Sequence, residues 1–174
     1  RPLPQARSST QPFAGKCLRQ LSTQGDGRII ALSSFTESVM SVAVVVSENG
    51  QGRYQQEIRT GHHILLADEP ESMGGNDAGP EPFDLLMAGL GACTSITLRM
   101  YAERKNLALI GISVALSHEK VEVDGVRRDR ISRQITLEGN LSAAERQRLL
   151  EIANKCPVHR ALSQPFILDS ELVN

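Results

Sequence analysis

Residues 83–104 constrain this chain more than any other stretch. They contain no proline, and from 85 to 98 they carry no charge. Arg99, Glu103 and Arg104 bring charge only into the last turns. A helix that is apolar on nearly every side is a buried one, so this element is expected to run through the middle of the fold. Ala88, Gly89, Gly91 and Ala92 would let another backbone approach closely. Each glycine costs about 1 kcal/mol of helix propensity relative to alanine, which close packing must offset.

The segments around this helix read as strands and short helices. Residues 39–46 are a β-branched apolar run, and Asn49-Gly50 with Gly52 supplies a turn. Stretches 54–58 and 62–67 read as two further strands separated by Gly61, and 68–82 is a loop rich in Asp, Glu, Gly and Pro. Beyond the helix, Ile110, Ile112, Val114, Leu116 and His118 alternate with small residues, the period of a strand with one buried face. Ile131, Ile135 and Leu137 repeat the pattern. Asp124-Gly125 between them signals a hairpin with a long connection. Ser142 and Glu145 form a capping box, and Leu149, Ile152, Ala153 and Cys156 then share one helical face. Pro157 suits the first position of another short helix, with Cys156 as its N-cap. Strands, a long helix, strands and a helix in that order predict an α+β domain.

Composition narrows the partners. Aromatics make up 3% of the 174 residues and there is no Trp, so Leu, Ile, Val, Ala and Met must build the core. The net charge is −1 and no basic block occurs, which argues against nucleic acid or an anionic membrane as partner. No apolar run is expected to reach the ~20 residues of a membrane span. Residues 1–35 are basic, rich in hydroxyls and free of acids before Asp26. They read as a poorly ordered tail or a targeting segment ahead of a domain at 36–174. A tail implies a cytoplasmic protein, and a transit peptide a mitochondrial one.

Cys17, Cys93 and Cys156 are too few, and odd in number, for a secreted disulfide framework. Buried, inert thiols are the plain reading. At a helix start, Cys156 would face unsatisfied backbone N–H groups, which favours a thiolate. Cys93 lies far inside the long helix and needs a cation from elsewhere, for which Arg53 is a candidate. His62 and His63 would face opposite ways on a strand, which makes them poor co-ligands with His159. No metal or cofactor is expected.

The run from Pro82 to Cys93, Pro-Phe-Asp-Leu-Leu-Met-Ala-Gly-Leu-Gly-Ala-Cys, resembles the signature helix of the OsmC/Ohr superfamily. Lys155-Cys156-Pro157-Val158 resembles its second signature. The resemblance implies an intertwined homodimer, with antiparallel sheets packed around long buried helices. It also implies reduction of organic hydroperoxides or hydrogen peroxide by Cys93, with Cys156 closing a disulfide and a dithiol reductant restoring both thiols. Arg53 would orient the peroxide, and Phe83 and Met87 would line its pocket. Familiar members carry a glutamate directly after the motif's proline. Here Phe83 holds that position and Asp84 follows, turned ~100° around the helix. The alternative is a redox sensor or small-molecule-binding protein with little peroxidase activity.

Overall fold

The structure is a computed structural model in which residues 44–173 are described. The expectations for 1–35, the domain start at 36 and the first part of the strand at 39–46 lie outside those residues.

Strands β1 (Val45–Glu48), β2 (Gln56–Thr60) and β3 (His63–Ala67) form an antiparallel meander. Thr60 pairs with His63, so Gly61 and His62 alone make the turn between β2 and β3. Gly61 has φ of +58°, and a glycine in the first of two turn positions suits the right-handed twist of a hairpin. His62 is thus a turn residue, and its ring lies 3.9 Å from that of His63. The expectation that the two rings face opposite ways is corrected by this turn.

The loop that follows is organised by Asp68. Its buried carboxylate accepts backbone N–H groups from Glu69 at 2.9 Å, Asn76 at 3.0 Å and Ala78 at 3.2 Å. Burial pushes this carboxyl up, but the three N–H donors outweigh it and hold it below its ordinary value.

Helix α1 (Pro82–Lys105) opens on Pro82, whose missing N–H costs nothing in a first turn. It closes at Asn106, which takes a left-handed conformation with φ of 52°. Within this chain it buries one face only, made by Leu90, Gly91, Thr94, Leu98 and Ala102. That face packs on β4 (Leu109–Val123), α2 (Ala143–Ala153) and α3 (Pro157–Leu162). Ile96 and Met100 are 58% and 66% exposed, so burial on all sides does not hold for the single chain. Gly91 marks the closest approach: a Cβ there would sit 2.9 Å from Leu116 Cδ1. Ala88, Gly89 and Ala92 are exposed. By length and overall composition α1 could cross a bilayer, although its uncharged run, 85–98, is shorter than the ~20 residues of a span.

Strand β4 pairs with β5 (Val126–Gly139) over their full lengths. The connection is only Asp124-Gly125, both with positive φ, as a type I′ turn requires. The long connection expected from sequence is taken up by longer strands. A register shift between Leu109 and Gly111 turns Leu109 inward and leaves Ile110 78% exposed, so Ile110 departs from the alternation.

Ser142 and Glu145 close the capping box of α2. Leu149, Ile152 and Ala153 then seat α2 against Leu98 and Ala102 of α1, with Leu109 and Leu141 completing the core. Antiparallel sheets with one long helix make this an α+β fold. The packing of α2 on α1 fixes where the chain can emerge at Cys156.

Candidate functional site

Cys93 lies midway along α1 and is half-buried, whereas Cys156 is fully buried where the chain turns from α2 into α3. Both are free thiols. Their side chains are close enough to shift each other's acidity. Burial pushes the Cys156 thiol up, but the Cys93 S–H, the backbone N–H groups of His159 and Val158 and the Thr94 hydroxyl together bring it below its ordinary value. The two N–H groups act as electrostatic partners, since no side-chain hydrogen bond caps α3. Burial likewise raises the Cys93 thiol, and the Cys156 sulfur raises it further, against smaller help from the Val158 N–H and the Thr97 hydroxyl. The directions of these shifts favour Cys156 as the holder of the pair's first negative charge.

The face of α1 that carries Cys93 runs through Leu86, Leu90, Thr97, Met100 and Arg104. Two hollows open along it, one before and one after Cys93 in sequence, and Cys93 lines neither. One, of about 320 Å³, is lined by Phe83, Leu86, Leu90, Asp129, Ile131 and His159 among others. The Phe83 ring stacks on His118 with centroids 4.2 Å apart, and His118 Nε2 lies 2.8 Å from Asp129 Oδ1. The other hollow, of about 450 Å³, is lined by Thr97, Met100, Tyr101, Arg104, Ile152, Lys155 and Pro157. Phe83 thus borders a hollow beside the cysteine pair, while Met87 lies ~120° around the helix from Cys93 and lines neither hollow.

Arg53 and Asp84 fall elsewhere in the single chain. The Arg53 guanidinium sits 5.1 Å from the Tyr54 ring centroid, in a hollow shared with Asp68, Glu69 and Pro82. From Pro82, Cys93 is ~16 Å farther along the helix axis. Asp84 is exposed in the first turn, about half a revolution around the helix from Cys93. Neither group acts on the Cys93 sulfur within one chain.

Arg133 is a charged residue at this site that no sequence motif singles out. Its Nη1 donates to Thr94 Oγ1 at 2.7 Å and reaches Ala153 O at 3.4 Å, and its Nη2 donates to Asn154 Oδ1 at 2.9 Å. A signal was present in the sequence. Arg133 stands at an inward position of β5, between Ile131 and Ile135, where the strand pattern calls for an apolar residue.

An α+β fold that brings two free thiols together from a core helix and a Cys-Pro helix start defines a class of dithiol proteins. The chain belongs to the OsmC-like protein family, which matches residues 74–171, more than half of its 174 residues. None of the curated proteins matches it. Among solved structures it is similar to an OsmC-like protein from Mycoplasma pneumoniae, at 19% identity and a TM-score of 0.56, over 69% of this chain and 84% of that one. It is also similar to an organic hydroperoxide resistance protein OsmC from Legionella pneumophila, at 21% identity and a TM-score of 0.53, over 68% and 86%. An organic hydroperoxide resistance protein from Elizabethkingia anophelis aligns at 18% identity and a TM-score of 0.55, over 72% and 89%. At these identities the likeness establishes the shared fold.

Proposed function

We propose that the chain is a thiol peroxidase that reduces organic hydroperoxides or hydrogen peroxide. The observation that carries this reading is the juxtaposition of the half-buried Cys93 and the buried Cys156, each of which shifts the acidity of the other. Cys93 is the sulfur a peroxide can reach, and Cys156 is the base that takes its proton. The Cys93 thiolate attacks the distal peroxide oxygen and breaks the O–O bond. Cys93 becomes a sulfenic acid, and the leaving alkoxide takes the proton from Cys156 and departs as alcohol. The Cys156 thiolate then attacks the Cys93 sulfur and expels hydroxide, which is protonated to water, and a disulfide forms. An external dithiol restores both thiols by exchange. The relatives named for hydroperoxide resistance support this substrate class.

The active assembly is a homodimer. Val44, Val45 and Val46 on one side of the meander, Ile64, Leu65 and Leu66 on β3, and Ile96 and Met100 on α1 are all exposed in the single chain. Apolar surface on this scale supports a partner chain. Arg53 and Asp84 retain the roles of orienting peroxide and holding that arginine only if a second copy brings them to Cys93.

One observation favours the alternative of a redox sensor or small-molecule-binding protein. Among the described residues no cation lowers the Cys93 thiol, which is raised chiefly by burial, and that slows attack on peroxide. The rate of Cys93 oxidation separates the two readings. A peroxidase oxidises orders of magnitude faster than free cysteine, whereas a rate like that of free cysteine favours the sensor or binder.

A further inference from the structure

Thr94 is fully buried, and its hydroxyl has more partners than protons. Its Oγ1 donates to Leu90 O at 2.8 Å, accepts from Arg133 Nη1 at 2.7 Å and lies beside the Cys156 sulfur. A hydroxyl carries one proton and two lone pairs. With Arg133 donating to the oxygen, the single proton can go to Leu90 O or to the Cys156 sulfur, and only a charged sulfur competes well with a carbonyl. The same guanidinium bonds Ala153 O and Asn154 Oδ1, just ahead of Cys156. One side chain of β5 therefore ties the helix bearing Cys93 to the segment bearing Cys156.

We infer that Arg133 is the positioning residue of the cysteine pair, fixing the Thr94 hydroxyl so that its one proton is delivered to the Cys156 sulfur whenever that sulfur is charged. This deepens the reading of Cys93 and Cys156 as a redox pair and rests on it. The groups facing the relay are Cys93 from α1, Arg133 from β5 and His159 from α3. Burial and the nearby Arg133 charge hold His159 below its ordinary value, so it is neutral near pH 7 and adds no competing cation. In the reduced protein the hydroxyl proton steadies the Cys156 thiolate that takes the Cys93 proton. In the disulfide it returns to Leu90 O. No bond to Thr94 or Arg133 is made or broken, so both act through position and charge alone.

The test follows thiolate absorbance in the ultraviolet against pH, on the reduced full chain carrying Cys17→Ser. Arg133→Met and Thr94→Val are each expected to move the first thiolate step up by about one pH unit, a roughly tenfold weaker acid. Thr94→Ser is expected to keep the parent curve. Arg133→Met added to Thr94→Val is expected to move the step no further, because Arg133 acts through Thr94. An unmoved first step in both single variants, with the parent's circular dichroism, overturns the inference. An Arg133→Met shift that persists in full on top of Thr94→Val also overturns it. Should Arg133→Met fail to fold, the contrast between Thr94→Val and Thr94→Ser decides. The readout needs no peroxide. A protein that shows these shifts but consumes no peroxide keeps the relay and loses the peroxidase reading, and active protein without the shifts does the reverse.

Discussion

Cys93 and Cys156 lie side by side with opposite shifts. Burial and the Cys156 sulfur raise the Cys93 thiol, whereas Cys156, despite its burial, is brought below its ordinary value, and this asymmetry sets a division of labour. The half-buried thiol keeps its proton, and the buried one holds the charge. In the proposed peroxidase, the first sulfur meets the peroxide and the second makes it a nucleophile.

Reactivity should follow the ionisation of Cys156. Its value lies below the ordinary thiol value of 9.0, so the charge persists at lower pH than in free cysteine and disappears as pH falls through the lowered value. The rate of alkylation of Cys93, measured against pH, should therefore hold to lower pH than that of free cysteine. In Cys156→Ser the profile should shift to higher pH. Identical profiles in parent and variant would show that Cys156 is not the base.

The core that seats Cys156 should be sensitive to cavities. Leu149 is fully buried between α2 and α1. Leu149→Ala should cost about 3 kcal/mol in urea unfolding, the usual range for a buried leucine. Ser142→Ala should cost about 1 kcal/mol by opening the capping box. If Leu149→Ala proved neutral, α2 would not be a rigid support for the cysteine pair.

Asp68 should contribute to acid sensitivity. Its folded value lies below the ordinary 3.8, so its stabilisation is present above that value and is lost as pH falls through the folded one. Urea midpoints taken from about pH 5 downward should fall less steeply in Asp68→Asn than in the parent. Equal slopes would mean that the loop at 68–82 does not depend on this carboxylate.

Assembly should depend on the exposed face of α1. Sedimentation of the full chain at micromolar concentration should give a dimer, and Met100→Glu should weaken it by placing charge on an apolar surface. A stable monomer in the parent would remove the homodimer.

Much of this fold was legible because local chemistry agrees with it. The capping box of Ser142 and Glu145, Pro157 after Cys156, and the alternation at Ile112, Val114 and Leu116 each specify their own element. What escaped depends on pairing between distant residues. The bulge at Leu109 is set by register with Gly139, which no local pattern reports. The one-sided burial of α1 follows from which elements of this chain reach it. Arg133 meets Thr94 only because it reaches α1 from β5, the partner strand of β4. Arg53 stands at a turn, a place sequence can mark, whereas Arg133 interrupts an apolar strand face and meets the relay only through the tertiary fold.

Intact-mass spectrometry of the reduced protein after one equivalent of an organic hydroperoxide tests the central claim most directly. The account predicts that the parent and Cys17→Ser each lose the mass of two hydrogens, as Cys93 and Cys156 join. Cys156→Ser should gain one oxygen on Cys93 and over-oxidise at higher peroxide, and Cys93→Ser should remain unmodified. An oxygen on Cys156 in Cys93→Ser would reverse the two roles. A parent protein left unoxidised at both cysteines would contradict the peroxidase account.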